Sequence, residues 1–91
     1  MKRYFCIVSG IVQGVGFRHF CTMAAFKHQI SGTVRNMSNG LVEIQAQGTP
    51  EQFNDFIQEI QLGNRFIKID NISIKEIPVL NNETKFKALY Y

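Results

Sequence analysis

Two glycines one residue apart, Gly14 and Gly16, separate an apolar β-rich run, Tyr4–Val12, from a helical pattern that starts at Phe17. Glycine accepts positive φ and lets a ligand approach the main chain closely. A strand that turns sharply into a helix here points several unpaired N–H groups at one spot. The helix N-terminus adds partial positive charge, so the turn is built to hold an anion. Arg18 adds a permanent charge and a planar fork of donors that matches phosphate. Gln13-Gly14-Val15-Gly16-Phe17-Arg18 therefore reads as a phosphate cradle with its own arginine. It is not a dinucleotide fingerprint, because His19 stands where a third glycine is required, and it lacks the Gly-Lys-Ser/Thr of a Walker A loop. Gly-x-Gly taken alone favours a plainer reading, a tight strand-to-helix turn beside a solvated arginine.

The rest of the 91 residues fills out one domain, 1–91. Tyr4–Val12 is strand one. Phe17, Phe20, Cys21 and Ala24, with Ala25 beside them, mark one face of a helix over Phe17–His28. Ile30–Met37 is a second strand, and Ser38-Asn39-Gly40 is a hairpin turn. In strand three, Val42, Ile44 and Ala46 alternate with Glu43, Gln45 and Gln47, giving one apolar and one polar face. Thr49, Pro50 and Gln52 form an N-cap, a first-turn proline and a capping box. Phe53, Phe56, Ile57 and Ile60 are the buried stripe of that second helix, which Gly63 ends. Ile72–Leu80 is a fourth strand, with Pro78 marking an edge or bulge. Asn81-Asn82-Glu83 is a loop, and Thr84–Tyr91 is a short final strand. The order βαββαβ plus a terminal strand predicts an α+β, ferredoxin-like sandwich: an antiparallel sheet with two helices on one face.

Other reactive residue types have plainer readings. His28 is expected to be a solvated residue at the helix C-terminus, where positive charge is favourable. Glu51, Asp55 and Glu59 recur every fourth residue as a solvated helix face rather than a cation site. Cys6 and Cys21 have no metal-like spacing and read as buried, reduced thiols. The net charge of +3 comes from basic residues scattered along the chain, which suits a small anion better than a nucleic-acid backbone. No apolar run is long enough for a signal-peptide core or a membrane span, so a cytoplasmic protein with no membrane partner is expected.

Beyond the loop, Ser9-Gly10-Ile11-Val12-Gln13-Gly14-Val15-Gly16-Phe17-Arg18, Gly32-Thr33-Val34-Arg35-Asn36 and Asn39-Gly40-Leu41-Val42-Glu43 together resemble the acylphosphatase family. The resemblance runs along nearly the whole chain. It implies the same ferredoxin-like fold and hydrolysis of acyl phosphates. It assigns the phosphate to the Gln13–Arg18 loop, catalysis to Arg18, and the orientation of an attacking water to Asn36. Three positions depart from the family's usual pattern: Thr33 for an aromatic, Gln29 for a helix-ending glycine, and Leu89 for a basic residue. All three are expected to lie away from the loop, Arg18 and Asn36.

Topology supports the shared site independently. One helix returns the chain between strands one and two, so these strands run parallel and end at the same rim. The loop leaves the end of strand one, and Asn36 stands near the end of strand two. An acyl phosphate is a mixed anhydride with a good leaving group, so amide donors, a cation and a positioned water suffice. No cofactor, metal or strong general base is called for, and His19 is expected on the polar side of the helix. Arg35 is expected on the opposite face of its strand, solvated or ion-paired. Two rivals use the same elements. An RNA-binding module would need aromatics on the open sheet face, where Glu43, Gln45 and Gln47 stand instead. A regulatory anion-binding domain would keep the loop without turnover. Nothing in the chain demands more than a monomer.

Overall fold

The structure, a computed structural model, describes residues Met1–Tyr91. Its elements are β1 (Lys2–Ile11), α1 (Phe17–Lys27), β2 (Ser31–Asn36), β3 (Val42–Gly48), α2 (Pro50–Leu62), β4 (Lys68–Ile77) and β5 (Phe86–Leu89). They form one five-stranded sheet in the order β4-β1-β3-β2-β5. β3 is antiparallel to both β1 and β2, so β1 and β2 run the same way on either side of it. The expected ferredoxin-like plan is present. The sheet is mixed, however, because β5 joins β2 in parallel. The cause is the connection: β4 runs against β1 at one edge, and the chain then passes to the opposite edge before turning up as β5.

The apolar faces meet as the periodicities require. Val42, Ile44 and Ala46 of β3 are fully buried against Cys21, Ala24 and Ala25 of α1 and Phe53, Phe56, Ile57 and Ile60 of α2. α2 has the predicted capping box: the Thr49 hydroxyl accepts from the Gln52 N–H, and the Gln52 carboxamide accepts from the Thr49 N–H. β4 begins at Lys68 rather than Ile72 and stops before Pro78. Asp70 and Asn71 have little strand propensity, and pairing with Ser9–Ile11 across a bulge imposes the conformation on them.

Two side-chain readings change. His28 is not a freely solvated end residue: its Nε2 lies 2.8 Å from Glu59 Oε1 and ties α1 to α2. That hydrogen bond holds the Glu59 carboxyl below the usual carboxylate range. The polar face of β3 is also partly covered. Arg3 is only 2% exposed and donates to Glu83 Oε1 at 2.6 Å and Oε2 at 3.2 Å. Its remaining donors reach Gln45 and Gln47. Gln47 in turn exchanges two hydrogen bonds with the main chain of Leu80. This network fastens the segment leading into β5 across the sheet face.

At the end of α1, Gln29 has φ +58°. A non-glycine residue pays about 1–2 kcal/mol in the left-handed region. Glycine gives back part of that gain through unfolded-state entropy, and the bond from Gln52 Nε2 to Gln29 would be lost. Gln29→Gly is therefore expected to raise stability by about 0.5 kcal/mol, which is roughly 2–4 °C in Tm for a domain of this size. A melting curve checks it, and an unchanged or lower Tm would refute it.

Candidate active site

β1 delivers Val12, 1% exposed, to the core, and Phe17, also 1% exposed, anchors the chain again at the start of α1. Val15 packs against the core between them. The intervening turn is thus pinned at three points while Gly14 and Gly16 lie at the surface. Their φ values are +74° and +80°. A Cβ on either would meet no protein atom within 4 Å, so the demand for glycine is conformational. Gly16 is also the N-cap of α1, which has no side-chain cap. None of the main-chain N–H groups from Gln13 to Arg18 donates to an acceptor in the protein. The loop therefore presents open amides at a helix N-terminus.

The loop is fastened sideways as well. Gln13 Nε2 donates to the carbonyls of Met37 and Leu41, each at 2.8 Å. The Gln13 side chain is thus committed to the β2–β3 turn, and what it offers a phosphate is its main-chain amide. Arg18 reaches the opposite way. Its Nη1 donates to the Leu89 carbonyl at 3.2 Å, and its Cζ lies 4.1 Å from the centre of the Tyr90 ring. A guanidinium has five N–H donors, so the others remain for a ligand. Contrary to expectation, Leu89 does touch Arg18, through its main-chain oxygen rather than its side chain. Tyr90 carries no local mark of this role beyond being aromatic at the end of a strand. Only the parallel addition of β5 beside β2 brings it to the rim.

Asn36 closes β2, and its Oδ1 is buried without a hydrogen-bond partner. Buried polar atoms are nearly always satisfied, so this oxygen is suited to a bound water or substrate. Asn36, Arg18, Gly14, Gly16, Phe17 and Tyr90 line one cleft. His19 stands exposed at its margin. Arg35 is ion-paired, Nη2 to Glu43 Oε1 at 3.0 Å, with Glu43 8% exposed. Cys6 and Cys21 are free, buried thiols. Burial pushes the Cys6 thiol up to about 12 and the Cys21 thiol further, with Cys6 adding to the latter, so neither is a ready nucleophile. A larger groove between Phe26 of α1 and Phe86 of β5 contains none of the loop residues, Arg18 or Asn36.

The family model described as acylphosphatase matches residues 4–88. An acylphosphatase of Clostridium acetobutylicum is 47% identical over 90 residues, covering 99% of each chain. The solved structure of an acylphosphatase from Bacillus subtilis superposes with a TM-score of 0.92 at 39% identity, covering 99% of this chain and 100% of that one. An acylphosphatase structure from Coxiella burnetii gives a TM-score of 0.87 at 30% identity, covering 97% and 92%.

Proposed function

The chain belongs to the acylphosphatase family, and on that premise we propose that it hydrolyses acyl phosphates with the loop amides, Arg18 and Asn36 as its working parts. It is an enzyme of the hydrolase class acting on a small-molecule substrate. The observation that carries the residue assignment is convergence: Arg18 and the unpartnered Asn36 Oδ1 line the same cleft as the open Gly14–Gly16 turn. The amides of Gln13, Gly14, Val15, Gly16, Phe17 and Arg18 hold the phosphoryl oxygens together with the Arg18 guanidinium. Asn36 Oδ1 accepts a hydrogen bond from the attacking water and aims its oxygen at phosphorus.

The step balances without an added base. Water oxygen bonds to phosphorus, the bond from phosphorus to the acyl oxygen breaks, and its electron pair leaves on the carboxylate. The protons of the water remain on the phosphate product, which buffers them. Phosphoryl transfer of this kind passes through a loose transition state, so positioning and charge stabilisation outweigh nucleophile activation. The carboxylate leaving group needs no proton. Arg18 and the amides face the phosphoryl oxygens, where the transferred charge is spread.

The proposal extends to a cytoplasmic monomer. No helix is long and apolar enough to cross a membrane. The deciding measurement is phosphate release from benzoyl phosphate and acetyl phosphate without added metal and with EDTA present. Turnover insensitive to EDTA and inhibited competitively by inorganic phosphate is expected. Phosphate binding without turnover would replace the hydrolase reading with that of an anion-binding regulatory domain. Activity that EDTA abolishes would give the charge role of Arg18 to a metal.

A further inference from the structure

The cleft above the loop continues, past Arg18, Asn36 and Tyr90, into a second cleft. One wall of this second cleft comes from β2 and its turn, with Arg35, Asn36 and Met37. The other comes from Arg18, Tyr90 and Tyr91. The two tyrosines are 74% and 86% exposed, and neither contributes to the hydrophobic core. Resting on the hydrolase reading above, we propose that this second cleft binds the acyl group and that its tyrosine wall selects aromatic acyl chains. Tyr91 is the residue that sets this specificity.

Direction, charge and surface all lead there. In-line transfer places the leaving oxygen on the far side of phosphorus from the attacking water. The water is held by Asn36, so the acyl chain departs away from that side chain, and the second cleft with its tyrosines is the surface that adjoins the loop cleft. A carboxylate-bearing acyl chain would look for a cation here. Arg35 is already matched by Glu43, 3.0 Å away, and Arg18 is committed to the phosphoryl group. What the wall offers instead is aromatic surface. The Tyr90 ring already has the Arg18 guanidinium stacked on it. Tyr91 has no aromatic or cationic partner, so its ring is open to an acyl ring, a contact favoured in offset or edge-to-face geometry.

The test compares kcat/KM for benzoyl, acetyl and succinyl phosphate in the intact chain, Tyr91→Ala and Tyr91→Phe. Phe66→Ala, an exposed aromatic lining a different groove, is the control. The ratio of benzoyl to acetyl phosphate should fall about 3–10-fold in Tyr91→Ala, chiefly through KM, as expected for the loss of one aromatic pair. Tyr91→Phe should keep the ratio, because the ring and not the hydroxyl makes the contact, and so should Phe66→Ala. An unchanged ratio in Tyr91→Ala would overturn the proposal. So would a preference of the intact chain for succinyl over benzoyl phosphate, which would make the cleft an anion site. Either result leaves the hydrolase reading standing, whereas failure to hydrolyse any of the three substrates overturns both.

Discussion

Arg18→Ala should reduce turnover of benzoyl phosphate by at least about 10³-fold while the protein stays folded. Arginines that stabilise the transferring phosphoryl group contribute about 10³–10⁵ in kcat elsewhere. Here no other arginine or lysine lines the loop cleft to replace Arg18. The structural cost is small by comparison. The variant loses one hydrogen bond to the Leu89 carbonyl and the contact with the Tyr90 ring. At a partly exposed site each is worth on the order of 1 kcal/mol. Thermal melting should therefore show a modest drop in Tm beside the kinetic loss. Arg18→Lys should restore little, because an ammonium supplies charge without the fork that grips Leu89 and phosphate at once. Recovery by lysine to within tenfold of the original kcat/KM would mean that Arg18 acts as a diffuse charge, and the directed geometry argued above would fall.

How much of this was legible in the chain depends on how local each signal is. The capping box at Thr49–Gln52, the stop at Gly63 and the apolar face of β3 are written within a few residues, and the structure places them as read, whereas the polar face of β3 is partly covered. The Gly14–Gly16 turn belongs to the same class, since positive φ at both positions is a property of the turn itself. The placing of Asn36 on the rim of the loop needed only the handedness and direction of one βαβ crossover. What escaped depends on partners far away in the chain. Arg3 looks like any surface arginine until Glu83, eighty positions on, closes over it. His28 looks solvated until α2 brings Glu59 alongside. The parallel pairing of β5 follows from the route of one connecting segment, and that segment's own residues say little about its path. With β5 came the Leu89 carbonyl and the Tyr90 ring, the two groups that hold Arg18, so what fastens Arg18 was less readable than the turn that precedes it.

Asn36→Ala should separate binding from chemistry. If the amides and Arg18 hold the phosphoryl group and Asn36 holds only the water, the lost interaction counts in the transition state and not in the bound substrate. Then kcat and kcat/KM should fall together while KM changes little. Deleting one oriented group at a reacting centre costs about 10²–10³-fold in kcat where it has been measured on oxyanion holes. Inorganic phosphate should inhibit the variant with much the same Ki, since its oxygens meet the loop and not Asn36. Stability is a fair control here. Asn36 Oδ1 has no partner in the protein, so its removal leaves no donor stranded, and the melting curve should barely move. Gln13 keeps the loop fastened to the β2–β3 turn through Met37 and Leu41, neither bond involving Asn36. A steady-state series on benzoyl phosphate with phosphate as inhibitor decides the matter. Preserved kcat with a large rise in the Ki for phosphate would move Asn36 from the water to the phosphoryl group, and the attacking water would then have to be held by a group other than Asn36.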